Sequence, residues 1–115
     1  MGIFVMSERK NGDHQFVLKA ENGQVILVSQ GYSSRDGCLN GIESVKRNAQ
    51  HEEMFERLDS SDGRFYFNLK ATNGQVIGNS QMYQGVSGVT AGIHSVMANA
   101  PGARIMEEKI REIPS

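Results

Sequence analysis

The sequence has no tryptophan, two prolines and a single cysteine, Cys38. One cysteine closes no internal disulfide and builds no Cys-based zinc site, so a hydrophobic core must supply the stability. No stretch approaches the roughly 20 apolar residues of a membrane span. The early apolar run Ile3 to Met6 lacks the charged leader and length of a signal peptide. Neither sign of charge dominates, with 12 basic and 13 acidic residues and a net charge of −1. That balance leaves no electrostatic footprint for nucleic acid or an anionic membrane. A soluble, cytoplasmic chain of 115 residues with one core is the expectation, treated as a single domain over 1–115.

What the sequence has instead is repetition. "ENGQVILVSQGY" (21–32) returns as "TNGQVIGNSQMY" (72–83), 51 positions later. Without any gap, Gly12 to Ala49 aligns with Gly63 to Ala100, and 20 of those 38 positions are identical. Two copies are too few for a solenoid, so they are expected to share one core. The copies run over about 1–51 and 52–102, followed by a C-terminal strand over 103–110.

Each copy opens with strands. Asn22-Gly23 and Asn73-Gly74 are flanked by alternating residues, which predicts type I′ hairpins pairing Glu21 with Gln24. Asn11-Gly12 and Asp62-Gly63 read as further hairpin turns. The period of two then puts Phe16, Leu18, Ala20, Val25, Leu27 and Ser29 on a core face, matched by Phe67, Leu69, Ala71, Val76, Gly78 and Ser80. Further strands are predicted over Ile3–Ser7, Glu53–Leu58 and Ala103–Lys109, with Phe4 and Phe55 one period apart.

Helices follow the hairpins. Cys38, Ile42, Val45 and Ala49 recur at helical spacing, as do Val89, Ile93, Val96 and Ala100. Ser33 or Ser34 is a candidate N-cap, whereas Gln84-Gly85 predicts a later start for the second helix. Asn48 and Asn99 fall where left-handed residues end helices. Gly41 and Gly92, inside the helices, read as points of close helix packing, and Tyr32 and Tyr83 as anchors of the strand-to-helix connection with surface hydroxyls. The fold expected is α+β: two tandem β3-α-β-type repeats forming one mainly antiparallel sheet, with both helices on one face.

"RFYFNLKATNGQVIGNSQMY" with "GIHSV", and "FVLKAENGQVILVSQGY" with "GIESV", together resemble the YegP-like family, bacterial proteins made of a duplicated domain of unknown function. The resemblance spans essentially the whole chain. It implies repeats of the β3-α-β kind sharing one sheet, and it implies no activity, substrate or catalytic residue. The family's Thr-Ser before the helix is present in form as Ser33-Ser34 and is replaced by Gln84-Gly85 in the second copy.

Catalysis needs convergent titratable groups, and the repeat offers few. His14, His51 and His94 align with Phe65, Gly102 and Glu43, so none belongs to the shared scaffold. Cys38 with His94 is the one candidate enzymatic pair, but Cys38 occupies the apolar helix stripe where the second copy has Val89. A non-catalytic module with no cofactor and no metal is therefore expected. Phe65-Tyr66-Phe67 resembles a base-stacking platform, yet only Tyr66 is directed to the open face, which disfavours a single-stranded nucleic-acid binder. The candidate binding face is the uncovered side of the sheet: Lys19, Ile26, Gln30, Tyr66, Asn68, Lys70, Ile77 and Gln81. Its expected partner is a protein or extended peptide, contacted by a monomer in preference to a homodimer.

Overall fold

The computed structural model describes residues 2–108. Three strands, β1 (Ile3–Glu8), β2 (His14–Lys19) and β3 (Val25–Val28), lead into helix α1 (Arg35–Asn48). A 3-10 turn at Glu52–Met54 then opens the second copy: β4 (Phe55–Asp59), β5 (Phe65–Lys70), β6 (Val76–Asn79) and helix α2 (Val86–Asn99). Strand β7 (Arg104–Glu108) follows; the proposed continuation to residues 109 and 110 lies outside the described residues.

One mixed sheet of order β4-β5-β6-β3-β2-β1-β7 contains every strand among the described residues. The first six strands form a palindrome about the β6–β3 junction, as a pseudo-twofold relation requires. That junction is narrow, with Val28 opposite Asn79 as its sole paired position. All junctions are antiparallel except that of β7, which runs parallel to β1 with Ile105 beside Phe4. Both helices cover the same face. Their stripes, Cys38-Ile42-Val45-Ala49 and Val89-Ile93-Val96-Ala100, are buried in one cluster with Phe4, Phe16, Leu18, Phe67 and Leu69. Each helix reaches beyond its own copy: α1 packs on β2 and on β5 and β6, and α2 on β5 and on β3.

The hairpin turns differ from the expected type. Positive φ occurs at Gly12, Gly23, Gly63 and Gly74 and at no asparagine among the described residues. Ala20 N–H donates to Gln24 O and Gly23 N–H to Ala20 O, both at 2.9 Å, so Ala20 rather than Glu21 faces Gln24. This is a type I turn closed by a left-handed glycine. The Asn22 side chain supports it by accepting from Gln24 N–H at 3.0 Å, as Asn73 does from Gln75. The turn shifts the register by one residue, and a bulge shifts it back: Lys19 pairs with Val25, but Leu18 pairs with Leu27. Ile26 is the extra residue. The second hairpin does the same, pairing Lys70 with Val76 and Leu69 with Gly78, with Ile77 between.

The bulges correct the face assignment. A bulged residue no longer alternates with its neighbour, so Ile26 (6% exposed) and Ile77 (8%) join the core beside Leu27 and Gly78. Val25 and Val76, expected in the core, stand instead opposite Lys19 and Lys70.

Three other expectations are revised. The second helix starts in step with the first: Ser34 Oγ caps α1 by accepting from Gly37 N–H at 3.0 Å, while Gly85 caps α2 with no side chain at all. Neither helix ends in a left-handed residue; Asn48 and Asn99 turn back and donate to Ser44 O and Ser95 O at 2.8 Å. Gly41 and Gly92 make room for a tyrosine rather than a helix. A Cβ on Gly41 would stand 2.6 Å from Tyr32 Cζ and 3.1 Å from Phe16 Cε2, and one on Gly92 would stand 2.9 Å from Tyr83 Cζ. Each tyrosine ring stacks on the core phenylalanine of its copy, Tyr32 on Phe16 and Tyr83 on Phe67.

Candidate functional site

The structure does not unite the expected binding face. Ile26 and Ile77 are withdrawn into the core. Lys70 is held by Glu56, Nζ to Oε2 at 3.1 Å. Lys19, whose neighbour at the place of Glu56 is Val5, has no acidic partner among the described residues and lies half-buried between Ile3 and Val25. Asn68 is engaged with its cross-strand neighbour, accepting from Asn79 Nδ2 at 2.6 Å. The same pair of positions in the first copy is Val17 and Val28. One half of the open face is thus aliphatic and the other amide-lined, and Tyr66 stands in the second half opposite Leu58.

The Cys38/His94 pair is not assembled either. Cys38 is fully buried, and burial pushes its thiol up to about 11, with the Glu107 carboxylate adding to the effect. His94 lies on the exposed side of α2, with Nε2 4.0 Å from Glu52 Oε1. His51 is likewise exposed, 3.8 Å from Glu53. Phe67 is fully buried, while Phe65 and Tyr66 are each partly buried.

Gln30 and Gln81 occupy equivalent positions and behave differently. Beyond the single paired position of the β3–β6 junction, the strands separate at both ends. At one end Gln81 reaches across, its Nε2 donating to the carbonyl of Val25. At the other end the corresponding acceptor is Val76. Gln75 O is taken by Ala71 N–H across the hairpin, so strand alternation turns the carbonyl of Val76 the opposite way, toward Gln30. The Gln30 side chain makes no such bond and has no hydrogen-bond partner among the described residues, while its main-chain carbonyl accepts from Ser29 Oγ at 2.8 Å. A groove of about 560 Å³ occupies this end. It runs between α1 and the β5–β6 turn, with Tyr32, Asn40 and Ser44 on one wall, Asn73 and Gln75 on the other, and Val76 and Ile77 at its base. Past Ser44 it continues toward Arg47 and His51. The asymmetry had no signal in the sequence, because Gln30 and Gln81 are the same residue at equivalent positions, each between a serine and, two places on, a tyrosine.

The fold and the groove define a two-copy α+β protein in which Cys38 and His94 are not brought together. The domain of unknown function DUF1508 matches the chain twice, over residues 10–56 and 60–107. Each matched segment runs from the second strand of a copy through its helix to the strand after it. A UPF0339 protein encoded in the ptx operon 5′ region of Stutzerimonas stutzeri is 48% identical over 106 residues, covering 92% of this chain and 96% of that one. UPF0339 protein YegP of Escherichia coli K12 is 43% identical with the same coverage. Its solution NMR structure, described as that of a protein of unknown function, superposes with a TM-score of 0.91 at 41% identity over 96% of both chains. A UPF0339 protein of Shewanella oneidensis gives 0.88 at 42% identity, over 94% of this chain and 92% of that one. The chain belongs to the UPF0339/YegP family of tandem DUF1508 proteins. No helix among the described residues is long and apolar enough to cross a membrane.

Proposed function

We propose that the protein is a non-catalytic binding module acting in the cytoplasm, and that its ligand occupies the groove beside Gln30. The observation that carries this is the broken symmetry of the two glutamines. Gln81 satisfies the carbonyl of Val25 from within the chain, whereas Gln30 leaves the equivalent place beside Val76 to an incoming group. The ligand therefore presents a donor to the Val76 carbonyl and an acceptor or donor to the Gln30 amide. The residues lining this part of the groove are all uncharged, which favours a neutral molecule with amide or hydroxyl groups over an anion. Unlike the sheet face first considered, the groove is concave, the property that buries a small ligand.

The non-catalytic reading is supported by the burial of Cys38 and the separate exposure of His94. It is tested by titrating 15N-labelled protein with N-acetyl amino-acid amides and small polyols. Binding should shift the Gln30 side-chain amide together with the backbone of Asn40 and Val76, and Gln30→Ala should weaken it. Shifts confined to other surfaces, or binding indifferent to Gln30→Ala, would sink the proposal.

A further inference from the structure

The two edges of the sheet hold equivalent places in the two copies and are unequal in occupancy. Beside β1 lies β7, while β4 ends the sheet with no strand beside it among the described residues. Ser60 N–H donates to Arg64 O at 2.7 Å across the β4–β5 turn, so alternation directs the main-chain groups of Phe55, Arg57 and Asp59 outward. They form an open ladder of the kind that accepts an added strand.

The side chains around this edge offer the same two chemistries as those that hold β7, in exchanged places. On the occupied side, Glu107 of β7 lies beside Met6 of β1 and forms a bidentate ion pair with Arg35 at the start of α1, at 2.9 to 3.2 Å. The residues one period on are Arg57 for Met6 and Val86 for Arg35. The arginine and the apolar residue have changed places, with the arginine now on the strand and the apolar group on the helix. The cleft keeps the same chemistry, one guanidinium and one apolar surface. Arg57 donates to Thr90 Oγ1 at 3.0 Å and has no carboxylate partner among the described residues. Val86 is 62% exposed. Between them lies a hollow of about 100 Å³, bounded also by Phe65 and Val89.

We infer that the β4 edge binds an extended segment of a partner protein, parallel to β4, carrying an aliphatic residue beside Phe55 and a carboxylate two residues later beside Arg57. The template is the chain's own Ile105-Met106-Glu107, which meets Phe4, Val5 and Met6 in that order. The site is separate from the groove beside Gln30, and either can fail without the other.

The probe is the peptide of residues 103–108, Ala-Arg-Ile-Met-Glu-Glu, blocked at both ends and titrated into the 15N-labelled full chain. Amides of residues 55–59 and 86–90 should shift. Affinity should fall about tenfold or more in Arg57→Glu, the scale of losing a charge-assisted contact at an interface, and should recover when the peptide carries Glu107→Lys. Val86→Glu, on an exposed side chain, should weaken binding of the unmodified peptide with the fold intact. Absence of binding at millimolar peptide, shifts confined to β1, or β4 shifts that follow protein concentration without peptide would each overturn the inference, the last by making the occupant a second copy.

Discussion

Leu27 and Gly78 stand at equivalent positions of the two copies and meet at the centre of the sheet: a Cβ on Gly78 would lie 2.7 Å from Leu27 Cγ and 2.8 Å from its Cδ2. One leucine fills the space at the pseudo-twofold relation for both copies. Two would collide there. Gly78→Ala should therefore destabilise by about 1–3 kcal/mol through overpacking, although alanine ordinarily suits a strand better than glycine does. Leu27→Ala should cost about 2–5 kcal/mol by opening a cavity. The exchange Leu27→Gly with Gly78→Leu should recover most of the combined loss, since the leucine then enters from the other side. Urea unfolding of the natural protein, Leu27→Gly, Gly78→Leu and the double exchange measures the coupling, and simple additivity would refute the relationship.

Tyr32 and Gly41 are a second such pair. Alanine in a helix interior is normally favoured over glycine by about 1 kcal/mol, but Gly41→Ala places a methyl group against the tyrosine ring. The substitution should lower stability by about 1–3 kcal/mol. In a Tyr32→Ala background the same change should cost much less, because the nearest obstacle is gone and only the looser approach to Phe16 remains. Thermal unfolding of the two series separates steric conflict from helix propensity.

Cys38 supplies a pH-dependent prediction. Its thiol ionises near 8.5 in an unfolded chain, and burial raises it to about 11 in the folded one. The neutral form is favoured by folding, so this stabilisation is complete below the unfolded value and is lost as pH rises through the folded one. Stability should fall more steeply over that interval in the natural protein than in Cys38→Val, which copies Val89 of the second helix. Tyr32 and Tyr83, also raised by burial, are common to both proteins. A thiol reagent should label the native protein slowly and the denatured protein fast; rapid native labelling would revive the enzymatic alternative.

The helix caps predict a small asymmetry. Ser34→Ala should cost about 1 kcal/mol by removing the bond to Gly37, and Gly85→Ser should add a few tenths of a kcal/mol to the uncapped second helix. Equal sensitivity of the two sites in chemical denaturation would contradict the capping assigned here.

Much of this architecture was legible because the chain states it twice. The strands, the apolar stripes of both helices and the core positions Phe16, Leu18, Phe67 and Leu69 followed from two aligned patterns of the same period. The turn type did not, because Asn-Gly serves both a type I′ turn and a type I turn with a closing glycine, and the choice depends on a bulge. That bulge, at Ile26 and Ile77, leaves no mark in an alternating pattern, so two residues expected on the open face belong to the core. The separate fates of Gln30 and Gln81 were invisible for a simpler reason: identical residues differ only in what the other copy places opposite them.

The parallel seating of β7 on β1 sets an order of events. Ile3 is paired with Arg104, and loop closure over most of the chain is entropically the most expensive contact in the sheet. During synthesis β2, β3 and α1 can fold on β1 long before its outer neighbour exists. Until β7 emerges from the ribosome, the nascent chain carries two open edges, with Phe4 and Met6 incompletely covered at one of them. The interval between translating Glu8 and Glu108 is thus the period in which this protein is most vulnerable to pairing with another chain, and β7 ends it on one side only.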